Sequence, residues 1–131
     1  ACEAVVHVHS THATALACLG QEIPPFHYMV AMAGGARIPC ADYATFGTPE
    51  LSANVLRALD GGLRACLMAN HGQVAAGKSL ADALALAEEV ENLARQYILA
   101  RSLGPTRDLP AEEMDEVLRR FRHYGQQRRT E

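Results

Sequence analysis

Short apolar clusters punctuated by glycine and proline run along this chain, and their spacing predicts alternating strands and helices. Residues 4–9, Ala-Val-Val-His-Val-His, read with period two as a strand. That places His7 and His9 on one face and Val6 and Val8 on the other. Ser10 or Thr11 can cap a helix over about 11–19, stopped by Gly20. Pro24 and Pro25 make 23–26 a rigid connection, because neither ring nitrogen donates a hydrogen bond. The following HYMVAMAGG is compatible with a strand or a short helix, and 36–48 reads as strand and loop.

Thr48-Pro49-Glu50 is a helix start: a cap, a proline at the first helical position and an acid at the positive end of the helix dipole. Leu51, Val55 and Leu59 would form its buried stripe. Ala65–Ala69 is a short apolar strand, and 74–76 a second one beyond Asn70-His71-Gly72. Ser79 can cap a long helix over about 80–102, with Leu80, Leu84, Ala87, Glu91, Ala94 and Ile98 marking one side. A last helix is expected over about 110–124. Strands and helices mixed in this way predict an α/β (α+β) fold, a sheet with helices on its faces.

The chain has 131 residues, fitting one domain, and is 49% hydrophobic and 21% charged, the profile of a globular protein. A formal net charge of −3 supplies no basic field to gather nucleic acid or an anionic membrane surface. No apolar run reaches the roughly 20 residues that span a bilayer, and the first residues lack the pattern of a signal peptide. The four cysteines form no CxxC pair. Together with the high apolar content this predicts reduced thiols and a cytoplasmic location. The sequence starts without Met, directly on a strand, which predicts a piece of something longer.

Candidate chemistry concentrates on histidine. His7 and His9 at i and i+2 share a strand face, their Cβ atoms roughly 6–7 Å apart, and imidazoles so placed can meet on one ion. A catalytic zinc takes three protein ligands and keeps a position open. His71 is the candidate third ligand, since it ends an apolar strand and precedes Gly72, where backbone can pass closely. Spacing alone sooner reads the pair as polar residues on a solvated strand face than as a metal site. His12 falls on the next helix and faces elsewhere. Tyr28 and Tyr124 read either as boundary residues or as proton donors. No GxGxxG or P-loop is present.

In combination, VVHVHS (5–10), IPPFHYMVAMAGG (23–35), YATFGTPEL (43–51), NHG (70–72) and FRHYG (121–125) resemble the class II aldolase/adducin family, on its L-fuculose-1-phosphate aldolase-like branch. The resemblance covers essentially the whole chain. It implies a mixed, mainly antiparallel sheet flanked by helices, lacking the family's N-terminal part. By the same resemblance His7, His9 and His71 match three zinc ligands, and Tyr28 matches a catalytic proton donor. Tyr124 matches a tyrosine that reaches a neighbouring subunit's site, and Phe46 an apolar wall for the aldehyde. A homotetramer with one Zn2+ per chain is implied, other divalent metals being compatible with the ligands. The implied reaction cleaves a ketose 1-phosphate to dihydroxyacetone phosphate and a small aldehyde, the ion acting as Lewis acid. Family members carry their catalytic glutamate and most of the phosphate loop upstream of the HxH strand, and Glu3 lies too close to that strand to serve. Two alternatives are a related sugar-phosphate decarboxylase, epimerase or dehydratase, and an adducin-like interaction module.

Overall fold

In the computed structural model, which describes residues 2–123, the strands are β1 (Ala4–Val8), β2 (Cys40–Ala41), β3 (Ala65–Met68) and β4 (Gly72–Gly77). The helices are α1 (Thr11–Ala17), α2 (Pro49–Ala58), α3 (Leu80–Leu103) and α4 (Ala111–His123), with a 3-10 helix over Tyr28–Ala33. The strands form one sheet in the order β1-β4-β3-β2. Both pairings of β4 are antiparallel and β2 runs parallel to β3. The sheet is therefore mixed and mainly antiparallel, as expected.

Why these residues form these elements is largely visible in the caps. Thr48 Oγ1 accepts the Leu51 N–H, with Pro49 and Glu50 in the first turn of α2 and Arg57 in its last. Ser79 Oγ accepts the Asp82 N–H at the start of α3, and the Asp82 carboxylate reaches back to the Lys78 N–H. Helices α1 and α3 pack on each other and on the sheet. Between them lies the core of Ala13, Leu16, Ala65, Leu67, Ala75, Leu86, Val90 and Leu93. Every residue of β3 is buried, as suits a central strand covered on both faces.

Two expectations are sharpened and two corrected. Within the ambiguous 27–35 stretch, Tyr28–Ala33 forms a 3-10 helix, capped by the His27 ring, which accepts the Met29 N–H. Gly34 ends it with φ +91°, and a Cβ there would meet the Gly62 carbonyl oxygen at 2.7 Å. Of 36–48 only Cys40–Ala41 pairs as strand, apart from an Ile23–Ile38 bridge. The stripe of α2 is only half-buried, because among the described residues that helix packs mainly on β2 and β3.

In α3 the buried side is Ala83, Leu86, Ala87, Val90, Leu93, Ala94 and Tyr97. Leu80 and Leu84, which the sequence puts on one side with Ala87 and Ala94, are exposed. Leu and Ala recur on several sides of this helix, so periodicity alone does not fix its rotation; packing against α1 and the sheet does.

Candidate metal centre

Strand β1 delivers two of the three histidines. Val6 packs against the core while His7 faces outward, and His9 follows one residue past the strand end. The third comes from the three-residue turn between β3 and β4. Asn70 there adopts the left-handed conformation, φ 57°, which Asn tolerates better than most residues. The turn is tied down by the Asn70 N–H to the Ala17 carbonyl and the His71 N–H to the Met68 carbonyl, each at 3.0 Å.

His71 reaches β1 because β4 pairs with β1 in a register that sets His7 opposite Val74 and Val8 opposite Gln73. One step further, Gly72 meets the chain at His9. A Cβ at Gly72 would stand 2.4 Å from the Val8 carbonyl oxygen and 3.0 Å from His9 Cδ2. Glycine is needed here for close approach between the two ligand-bearing segments.

The result is a triangle. The His7–His9, His7–His71 and His9–His71 ring centroids are 5.0, 4.8 and 4.8 Å apart. One ligand nitrogen from each lies within 4.8 Å of the others. His7 Nδ1 is 2.8 Å from the Gln73 carbonyl oxygen. A carbonyl only accepts, so Nδ1 carries the proton and the lone pair of the neutral ring is at Nε2. Such a bond fixes tautomer and ring orientation in metal-binding histidines. Partial burial, and then the neighbouring His7 and His9 rings, hold the His71 imidazole below the usual histidine range. That favours the neutral, ligating form. Three imidazoles converging at an open surface suit a borderline ion such as zinc.

The triangle forms one wall of an open cavity of about 650 Å³, lined also by Val8, Tyr43, Phe46 and Asn70. Phe46 thus lines the same cavity as the histidines and is 79% exposed. Tyr43, 61% exposed, shares the loop and was not singled out, although it stands in the same YATF stretch. Nor was Asn70 singled out, although it stands beside His71. His12 is outside the triangle, as expected; its ring and backbone N–H go to the Glu91 carboxylate.

Tyr28 is elsewhere. It stacks on His27, with ring centroids 5.0 Å apart, and lies 6.3 Å from the Phe121 ring. It lines a second, larger groove of about 1400 Å³ with Met32, Arg64, Lys78, Asp115, Arg119 and Arg122 among others. No residue lines both cavities. Tyr124 lies outside the described residues.

Comparison with known proteins identifies the family. The family model described as "Class II Aldolase and Adducin N-terminal domain" matches residues 1–98. The 5-methylthioribulose-1-phosphate/5-deoxyribulose-1-phosphate aldolase of Rhodospirillum rubrum is 53% identical over 122 residues, covering 93% of this chain and 55% of that protein. The L-fuculose phosphate aldolase of Escherichia coli is 48% identical over 123 residues, covering 93% and 57%. A solved L-fuculose 1-phosphate aldolase superposes with a TM-score of 0.89 at 44% identity, covering 92% of this chain and 56% of that one. The chain thus spans just over half the length of the curated relatives it matches.

Proposed function

Since the chain belongs to the class II aldolase and adducin family, we propose that it carries the metal-holding half of an aldolase site. The reaction is reversible cleavage of a ketose 1-phosphate to dihydroxyacetone phosphate and a small aldehyde. The observation that carries this reading is the convergence of His7, His9 and His71 on one cavity wall. A zinc ion, one per chain, would supply Lewis acidity toward the substrate's carbonyl and hydroxyl oxygens.

The chain's own side chains have separable parts. His7, His9 and His71 hold the ion, with His7 oriented through the Gln73 carbonyl. Phe46 and Tyr43 form an apolar wall for the far end of the aldehyde. The relatives' named substrates support that wall: fuculose and 5-deoxyribulose end in a methyl group, and methylthioribulose in a methylthio group. In the condensation direction the Tyr28 hydroxyl donates its proton to the aldehyde oxygen, which becomes a hydroxyl, and in cleavage the phenolate left behind takes that proton back.

Because Tyr28 lines a separate groove in its own chain, this role requires a second copy to bring its tyrosine to the histidine cavity. A homotetramer with sites at subunit boundaries meets that requirement, and Tyr124 would complete the aldehyde site in the same way. We read residues 1–131 as one aldolase-type domain acting in the cytoplasm. All four cysteines are free, which supports a reducing compartment, and no helix among the described residues is long and apolar enough to cross a membrane.

Metal analysis of protein purified without chelator, paired with a coupled assay for dihydroxyacetone phosphate, tests the reading. About one divalent ion per chain and chelator-sensitive release of dihydroxyacetone phosphate from ketose 1-phosphates are expected. Protein that takes up no metal would sink it.

A further inference from the structure

Glu91 is a partly buried carboxylate that the proposed reaction does not use, and its surroundings are unusual. It projects from the middle of α3 onto the start of α1. There its oxygens accept the His12 N–H at 2.9 Å, the Ala13 N–H at 2.9 Å and the His12 ring Nδ1 at 2.7 Å. The first turn of a helix has N–H groups with no partner inside the helix, normally met by the cap residue's own side chain. Ser10 holds the cap position of α1 but makes no such bond. Its hydroxyl instead accepts the Gln73 amide at 2.9 Å. A distant carboxylate therefore caps this helix.

The position of the capped turn gives this arrangement its meaning. Ser10 follows His9 directly, and β1 ends two residues earlier at Val8. His9 sits outside the strand ladder, so β4 does not fix it as it fixes His7. What holds the chain on its far side is the start of α1, and what holds that is Glu91. Gln73 closes the loop. Its side chain is fully buried and bonds Ser10 and the Ala87 carbonyl of α3, while its own carbonyl holds His7.

We infer that Glu91, with His12, is a positioning pair for the metal centre, clamping the β1–α1 junction so that His9 is held at the triangle with His7 and His71. This rests on the metal-centre reading above. Neither residue touches the ion or the substrate.

Cobalt(II) titration of the metal-free full chain, followed by visible absorbance, tests the inference without turnover. Glu91→Ala should weaken cobalt affinity by about 10- to 100-fold and shift the bands, as loss of outer partners does at metal sites. Glu91→Gln, which keeps the shape and one acceptor oxygen, should recover part of the loss. His12→Ala should fall between Glu91→Gln and the parent, because the backbone bonds survive. Val90→Ala is the control: a core residue one position away on α3, it should lower thermal stability yet leave cobalt affinity within about twofold.

Parent-like affinity and bands in Glu91→Ala would overturn the inference. So would an equal loss in Val90→Ala, which would mean general loosening. Should Glu91→Ala not fold, Glu91→Gln and His12→Ala decide, and parent-like binding in both overturns it. A parent chain that takes up no cobalt defeats the metal-centre reading and this inference together, whereas parent-like variants of a cobalt-binding parent defeat this inference alone.

Discussion

In the histidine cavity the reactive side chains are held by backbone: His7 by the Gln73 carbonyl, His71 by a hydrogen-bonded turn, His9 by close contact with Gly72. In the groove around Tyr28 nothing comparable holds. Its polar lining consists of long side chains such as Arg64, Lys78, Arg119 and Arg122, and Tyr28 is 51% exposed. The first region is organised within one chain before any ligand arrives. The second presents a half-exposed tyrosine on a surface, and under the proposed function its target would lie on another copy of the chain. Ion binding and proton transfer should accordingly fail separately when each region is damaged.

The largest expected effect comes from the first region. His9→Ala leaves two imidazoles, which rarely hold zinc against buffer. Metal analysis should find the ion lost and turnover lost with it. The fold should survive to within about 0.5 kcal/mol, because His9 is exposed. If His9→Ala keeps its metal, the triangle is not the ligand set. Next comes the second region. Tyr28→Phe should slow cleavage by about 10²- to 10⁴-fold with metal content unchanged. Mixed oligomers of His9→Ala and Tyr28→Phe subunits sharpen the comparison further. Activity should reappear where an intact triangle meets an intact tyrosine from another copy. Mixtures as inactive as their parts would rule out the shared site.

How much of this was readable from the residues follows the same division. Period two put His7 on an exposed face of β1, and the turn before Gly72 marked His71. That these come together depends on the β1–β4 register, which no local pattern contains; motif resemblance supplied the grouping instead. The cap residues announced the starts of α2 and α3 because capping is a local interaction. The start of α1 at Ser10 was equally legible, but not the source of its cap bonds, which come from α3, almost eighty residues away. The rotation of α3 was misread for the same reason: Leu80 and Leu84 are as apolar as Leu86 and Leu93, and only tertiary contact decides between them. Tyr43 was overlooked because a loop tyrosine carries no periodic signal.

A milder perturbation of the first region is Gly72→Ala. The added methyl would fall 2.4 Å from the Val8 carbonyl oxygen, a backbone atom that must move. Overpacking of this kind typically costs about 1–3 kcal/mol. Here the displaced segment carries His9, so cobalt affinity should fall by about 10-fold or more, whereas the Tyr28 groove should be untouched. Denaturant titration and cobalt titration of one preparation would separate the two losses. A destabilised variant with parent-like affinity would show that His9 adjusts to a shifted strand, and that the triangle is less rigid than its contacts suggest.

The smallest effect is electrostatic. Burial pushes the Glu91 carboxyl up, but bonds from Ala13, the His12 ring, Ser10 and the His12 N–H together hold it below the usual carboxylate range. A carboxyl whose pKa is depressed by folding adds stability at pH values above its unfolded value. That contribution disappears as the pH falls through the folded value. Glu91→Gln cannot titrate, so its deficit against the parent should be about 1 kcal/mol near pH 7. The deficit should shrink as the pH is lowered below about 4, the two unfolding curves converging on the acid side. A deficit of constant size across that range would mean that hydrogen-bond geometry alone, without the charge, holds the β1–α1 junction. The carboxylate would then be replaceable there by any well-placed acceptor.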